Sequence, residues 1–130
     1  MPFAFTIPGD ILFTRMFGVF TASELDHLTS EVEIVEAEHP AAFDRITDVT
    51  AVERFDVSVR DIYHFAVRRS VQTFSRTIKS AIVADHPIQV QIAQLYQSLN
   101  ENPQIQLRIF QSVADAKEWL ANPGDRSPIN

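Results

Sequence analysis

The residues best suited to chemistry stand where predicted strands end and helices begin. They are Asp48, Thr50, Asp56, Ser58, Asp85 and His86. Open α/β sheets bind ligands beyond the carboxyl ends of their strands, so these side chains are candidates for partner or ligand binding. Asp85 beside His86 could form an acid–base pair or half a metal site, but sequence neighbours point apart on most backbones and no third ligand is suitably spaced. We therefore predict no catalytic residue and no metal site.

Several of these polar residues have a simpler interpretation as helix N-caps. Thr21 with Glu24, and Ser58 with Asp61, match the capping-box spacing, and the same position is predicted for Asp85 and Ser112. An N-cap contributes about 0.5 to 2 kcal/mol. Capping therefore explains these residues before any ligand contact is needed.

Composition excludes several classes of function. The 130 residues contain no cysteine, which rules out disulfides, thiolate nucleophiles and zinc–cysteine clusters. The net charge of −6 argues against nucleic acid as a partner. The three glycines, Gly9, Gly18 and Gly124, form no phosphate-binding loop, and we expect no cofactor. No apolar run is long enough for a membrane span and no leader pattern begins the chain, so we expect a cytoplasmic protein.

Charge is distributed unevenly along the chain. Residues 22 to 40 carry six carboxylates and no Lys or Arg, whereas residues 60 to 79 carry four arginines and a lysine against one aspartate. An acidic helix and a basic helix are therefore predicted. The basic group Arg68, Arg69, Arg76 and Lys79 could hold an anion, although cations near a helix carboxyl end are the commoner arrangement.

Hydrophobic periodicity predicts nine elements. The first two strands, around Phe3 to Ile7 and Ile11 to Phe20, form a hairpin across Pro8-Gly9-Asp10. The predicted helices and later strands then alternate. A helix over 22–38, closed by Pro40, is followed by a strand over 43–50, a helix from Ser58 to about 72 or 74, and a strand over 78–84. A third helix after Asp85, a strand through Ile105 to Ile109 and a helix after Ser112 complete the order, and the third helix carries one apolar stripe: Ile88, Ile92, Leu95, Tyr96 and Leu99. For the second helix, Val59, Ile62, Tyr63, Ala66 and Val67 are predicted to face inward.

This order, β-β-α-β-α-β-α-β-α, predicts an α/β fold with a five-stranded, mostly parallel mixed sheet, an N-terminal β-hairpin and four helices. We expect a single domain over residues 1–121 and a loose carboxyl-terminal tail over 122–130.

The hairpin is apolar on both sides. Phe3, Phe5 and Ile7 share one side, whereas Ile11, Phe13, Phe17 and Val19 oppose Leu12, Met16 and Phe20 on the second strand. One side can pack under the helices. The other requires a cover, which a homodimer partner, a small apolar ligand or helices on both faces would supply. We expect a homodimer.

The pattern resembles the SpoIIAA-like or STAS fold of anti-sigma-factor antagonists, and more closely a branch of short bacterial proteins related to it. The resemblance rests on the segments 17–21, 48–58, 81–84 with 95–96, and 108–110. In the antagonists an Asp-Ser-Ser-Gly segment carries a regulatory phosphoserine. Here the matching stretch is Asp56-Val57-Ser58-Val59, which makes Ser58 the candidate regulatory residue.

The resemblance implies a non-enzymatic regulatory domain that binds a protein partner through the region from Asp56 to Val67. A small apolar ligand or lipid-binding domain, like the Sec14-like folds with which related sequences are compared, is the alternative. An enzyme that uses Asp48, Asp85 and His86 is a minor alternative, and it predicts that the three side chains converge in one concave pocket.

Overall fold

The computed structural model describes residues 3–39 and 42–122. Its elements are β1 Phe3–Thr6, β2 Ile11–Thr21, α1 Ala22–Glu38, β3 Asp44–Asp56, α2 Val59–Ser70, β4 Ile78–Val83, α3 Pro87–Leu99, β5 Ile105–Phe110 and α4 Val113–Ala121. The five strands form one sheet in sequence order, with β1 antiparallel to β2 and the remaining pairs parallel. The predicted fold class is confirmed.

The helix starts follow from capping side chains. Thr21, Ser58 and Ser112 each accept a hydrogen bond from the backbone N–H three residues on, at 3.1 to 3.3 Å. Asp85, however, is not the cap of α3, because that position belongs to His86 and Pro87 opens the helix. The side chain that satisfies this helix start is Gln89, whose Oε1 accepts from the backbone N–H groups of Asp85 and His86, both at 3.2 Å.

Helices cover both faces of the sheet. On one face, α1, α2 and α3 enclose a core that includes Leu12, Met16 and Phe20 of β2 together with Phe3 of β1. On the other face, α4 packs Trp119 and Leu120 against Ile46 and Ala81, with Ile11 and Phe13 at the margin. Helices on both faces therefore cover much of the two-sided hairpin. Ile7, Phe17 and Val19 stay exposed.

Several sequence predictions of element length and of side-chain facing are wrong. β3 continues to Asp56 rather than stopping at Thr50, because its second half pairs with the long strand β2 after β4 has ended. α2 ends at Ser70, and it buries Ile62, Ala66 and Arg69 while Val59, Tyr63 and Val67 are exposed. In α3, Ile88 of the predicted apolar stripe is also exposed. Pro40 and residues 123–130 of the predicted tail lie outside the described residues, and Asn122 is the C-cap of α4.

Candidate functional site

Asp48 and Thr50 lie inside β3 and shape it. Asp48 Oδ1 accepts hydrogen bonds from the Thr50 backbone N–H at 2.9 Å and the Thr50 hydroxyl at 2.7 Å. Next to them the β2–β3 register shifts twice, each time leaving one extra residue on β3. Gln89 Nε2 donates to the carbonyl oxygens of Thr50 and Val52 at 3.2 and 3.0 Å, which satisfies backbone groups of this β-bulge. Both candidates therefore have a local structural role.

The remaining predicted site residues are exposed. Ser58 and Asp61 form a complete capping box, in which the Asp61 carboxylate accepts from the Ser58 N–H at 2.8 Å. Hydrogen bonds from the Ser58 backbone and hydroxyl hold the pKa of Asp61 below its usual value. Asp56 ends β3, whereas Asp85 and His86 lie at the start of α3. Within residues 3–39 and 42–122, no three His, Asp or Glu side chains are grouped to hold a metal ion.

A cavity of about 120 Å³ lies between the sheet and helices α1 to α3. Its lining is mostly apolar: Leu12, Met16, Phe20, Leu25, Leu28, Val32, Val49, Phe55, Val57, Ile62, Phe65, Ile82, Ile92 and Ala93. Its polar lining consists of Thr14, Thr29, Thr47, Ser80, Gln89, Tyr96, Arg45 and Arg69. None of the described lining residues is an Asp, Glu, His or Cys. Asp48, Asp85 and His86 do not line this cavity, so the pocket predicted by the minor enzymatic alternative is not found there.

The strand register orders the sheet wall of this cavity. Arg45 on β3 lies between Leu12 of β2 and Ser80 of β4, and one step further along Thr14 lies beside Thr47. Beyond them toward the carboxyl ends of the strands, the lining is apolar apart from Gln89, whose side chain bonds to Thr50 and Val52. The cavity therefore has a polar end near the beginning of the strands and a mostly apolar end where they finish.

The polar end holds a buried cluster of Arg45, Arg69 and Glu36. Glu36 on α1 accepts hydrogen bonds from the Arg45 guanidinium and from both terminal nitrogens of Arg69, the latter at 3.2 and 3.3 Å. Arg45 is 8% exposed and Arg69 1% exposed. Two cations thus share one carboxylate, and a second carboxylate, Glu33, is close enough for the Arg69 charge, after the larger effect of Arg68, to help lower its pKa.

Burial and the nearby Arg69 charge together lower the pKa of Arg45 to about 10. Arg45 Nε is buried and has no hydrogen-bond partner among the described residues. The Phe74 ring lies 5.5 Å from the Arg45 guanidinium carbon and 5.9 Å from that of Arg69, where its π face compensates part of the charge. The hydrogen-bonding groups of this cluster are therefore incompletely satisfied. A buried donor without an acceptor costs about 1–3 kcal/mol.

Glu36 lies on the far side of the two guanidinium groups from the cavity. Arg45 and Arg69 line the apolar cavity, whereas Glu36 lines a separate, wider hollow of about 240 Å³ beside His39 and Gln72. The cavity wall therefore presents two cations and no carboxylate. Tyr96 completes this end: burial is the main cause that raises the pKa of its hydroxyl, and the hydrogen bond with Arg69 opposes that shift.

The predicted acidic and basic helices pair with each other. Arg68 on α2 donates to Glu33 on α1 at 2.7 and 3.0 Å and to Asp26 at 2.9 Å. Hydrogen bonding to Arg68 holds the pKa of Glu33 below its usual value. Arg76 pairs with Asp44, and the buried Lys79 ammonium donates to the carbonyls of Trp119 and Asn122 at 2.7 and 2.6 Å. Of the basic group singled out in the sequence, only Arg69 reaches the cavity.

Sequence analysis did not identify Arg45 or Glu36 as functional residues. Arg45 follows Asp44 in the strand predicted from Phe43, and all four residues from Phe43 to Ile46 are buried, where charged side chains are unusual. That position was the available signal. Glu36 could not be singled out, because five other carboxylates share its segment.

Among the described helices, none has the length and apolar character needed to cross a bilayer. No protein-family model matches the chain, and the search of curated proteins gives no significant match. Among solved structures, it is similar to an uncharacterised DUF3478-family protein from Shewanella loihica PV-4, described as having a SpoIIAA-like fold. The identity is 16%, with 92% of this chain and 94% of that chain covered and a TM-score of 0.63. The chain therefore has a SpoIIAA-like fold, as the sequence resemblance implied.

Proposed function

We propose that this chain is a ligand-binding domain that holds a small apolar molecule between its sheet and helices α1 to α3. The observation that carries the proposal is the cavity of about 120 Å³ in that layer. Protein interiors contain few voids larger than a water molecule. An apolar cavity of about 150 Å³ in another protein binds benzene, so this one is of the size class that admits a single ring or a short branched chain.

The composition of the wall favours binding over catalysis. General bases and nucleophiles are usually carboxylate, histidine or cysteine side chains, and none of these is among the described residues of the lining. The aromatic and aliphatic side chains at the apolar end, Phe20, Phe55, Phe65 and Val57 among them, provide contact area for an apolar ligand.

Benzene provides the test. We expect benzene titration to change the backbone NMR signals of residues around the cavity and to raise the unfolding temperature. Ala93→Leu, which adds a larger side chain to the cavity wall, should weaken both responses. Ala114→Leu, the same change at an exposed position of α4, should leave both unchanged. If benzene causes no local shifts, or if both variants respond like the wild type, the proposal is wrong.

A second candidate function is the regulatory, protein-interaction role implied by the resemblance to anti-sigma-factor antagonists. It is favoured by an apolar stripe of Val59, Tyr63, Val67 and Val71, all exposed and spaced four residues apart along α2 and its C-cap. This stripe begins beside Ser58, the candidate regulatory residue. It coincides with the region from Asp56 to Val67 that the sequence predicts as the partner surface.

Affinity capture from an extract of the source organism tests this second candidate. Wild-type bait, with Ser58 either unmodified or phosphorylated, should retain a protein that Val67→Glu bait loses. Ile34→Glu, an equivalent change at an exposed position of α1, should retain it. If no protein distinguishes the Val67 variant from this control, the α2 surface is not a partner site.

The homodimer predicted from the hairpin remains a prediction. Phe17 and Val19 are the exposed apolar side chains of β2 that would lie in such an interface. Sedimentation as a monomer at high protein concentration would contradict it.

A further inference from the structure

We infer that the ligand of the cavity is a small neutral molecule with one hydroxyl group, which bonds to the hydroxyls of Thr14, Thr47 and Ser80 while its apolar body occupies the rest of the space. This inference rests on the proposed ligand-binding function and names its ligand class. It is carried by hydroxyl groups that face the cavity without a hydrogen-bond partner in the described part of the chain.

The first step is the state of these hydroxyl groups. Thr14 is 4% exposed and Ser80 6% exposed, and both line the cavity. Neither hydroxyl bonds to any described residue, and the same holds for the half-buried Thr47. Unlike Arg45 Nε, the three oxygens are not sealed from water by surrounding atoms. Because the three residues lie on the sheet face under α1 to α3, the space that their oxygens reach is the cavity.

The second step is the placement of the three hydroxyl residues. Thr14 of β2 and Thr47 of β3 are register partners, and neighbouring strands lie roughly 4.8 Å apart. Ser80 lies on β4, two residues before the register partner of Thr47. One small polar group can therefore reach more than one of the three side chains. A ligand hydroxyl suits this set, because it can donate to one Ser or Thr hydroxyl and accept from another.

The third step is the charge balance at the polar end of the cavity. Three arginines meet three carboxylates in neighbouring ion pairs: Arg45, Arg68 and Arg69 with Asp26, Glu33 and Glu36. This set needs no further ion. A ligand ammonium group would lie beside two buried cations, and a ligand carboxylate would add a buried charge with no counter-ion left over, which is costly. The charge balance therefore favours a neutral polar group.

The fourth step is the apolar part of the wall. Met16, Phe20 and Phe65 are among its side chains. The volume of about 120 Å³ limits the apolar body to roughly one ring or a short branched chain. Phenol and isobutanol belong to this size class and carry one hydroxyl group each.

Paired ligands that differ by one group test the inference. Toluene has a methyl group where phenol has its hydroxyl, and comparing the ratio of their affinities between variants cancels the difference in their transfer from water. Thr14→Val and Ser80→Ala each remove one wall hydroxyl. Each should lower the affinity for phenol relative to toluene by roughly 2- to 10-fold, as expected for one neutral hydrogen bond. Calorimetry or NMR titration measures the affinities.

Thr6→Val, the same change at an exposed position of β1, is the matched control and should keep the wild-type ratio. Thr14→Val and Ser80→Ala should fold, because the hydroxyl groups they remove bond to no described residue. Benzene binding by each variant checks that the cavity is intact.

Charged ligands test neutrality separately. Isobutylamine and isobutyrate carry a charge close to the position of the isobutanol hydroxyl. Both should bind on the order of tenfold or more weakly than isobutanol, because each places an ion in a site whose charges already balance. Binding of either ion as tightly as the alcohol, or more tightly, would overturn the inference.

The outcomes separate the two proposals. If benzene binds but Thr14→Val and Ser80→Ala both keep the wild-type ratio of phenol to toluene affinity, the hydroxyl inference is wrong and the ligand-binding function stands. An equal change in Thr6→Val would also sink the inference. If benzene, toluene and phenol all fail to bind, both proposals are wrong.

Discussion

The two faces of the sheet bury cations in opposite ways. Under α4, the Lys79 ammonium donates to two backbone carbonyls and lies 5.1 Å from the centre of the Trp119 ring. Under α1 to α3, Arg45 shares the Glu36 carboxylate with Arg69, has no partner for its Nε among the described residues and lines a cavity. On the α4 face, the buried cation therefore has backbone acceptors and an aromatic ring as partners within the protein. The other face leaves a cavity beside its cations.

The largest expected effect concerns packing on the α4 face. Trp119 is 6% exposed and packs on Ile46 and Ala81, so Trp119→Ala should lower the free energy of unfolding by about 3–5 kcal/mol. Phe65→Ala on the cavity face should cost less, because this ring is half-buried and already lines a void. Urea denaturation of both variants measures the difference. An equal or larger cost at Phe65 would show that the cavity face is packed as completely as the other.

Removing the two buried cations should have opposite consequences. Lys79→Met should lower the free energy of unfolding by about 1–3 kcal/mol, because two carbonyls lose a charged donor. Arg45→Met should leave stability unchanged or raise it, because it removes a buried donor without an acceptor among the described residues while Glu36 keeps both hydrogen bonds from Arg69. Thermal and urea unfolding check both variants. A strongly destabilised Arg45→Met would mean that Arg45 is a structural cation like Lys79.

The smallest effect is a pH dependence confined to the cavity face. Arg68 lowers the folded-state pKa of Glu33 from its ordinary value of 4.5, so the pair stabilises the chain fully above that pH. This contribution is lost as the pH falls through the lowered folded-state value. Hydrogen exchange at pH 5 and pH 3 should therefore show a greater loss of protection in α1 and α2 than in α4. Equal losses in the three helices would contradict it. Glu33→Gln, which cannot ionise, provides the matched control.

The fold could be predicted because its determinants are local. Capping residues such as Ser58 and Ser112 set the helix starts, and alternating apolar residues in β1 and β5 indicate those strands. The cavity could not be predicted in the same way. Arg45, Arg69 and Glu36 are separated by 9 to 33 residues and meet only through the packing of α1, α2 and β3.

The wrong assignments have related causes. Val59, Tyr63 and Val67 have the spacing of a buried helical stripe, as do the residues that are in fact buried, Ile62, Ala66 and Arg69. Because Arg69 is charged, the sequence gives no sign that its face of α2 is the buried one. Asp48 and Thr50 were predicted to lie at a strand end because the sequence predicts that this strand stops at residue 50, whereas β3 continues to Asp56. The regulatory role of Ser58, the partner, the homodimer and the cytoplasmic location remain predictions.

The cavity depends on the number of residues between Asp48 and Asp56, because the bulge in this part of β3 sets which side chains face the helices. Inward side chains recur two residues apart through Arg45, Thr47 and Val49, and then three apart at Val52 and Phe55. A single deletion in this segment would exchange the side chains that face the helices with those that face solvent. The hairpin turn at Gly9, by contrast, is exposed and sets no cavity wall. Changes in length should accordingly be tolerated at the turn and selected against within this strand.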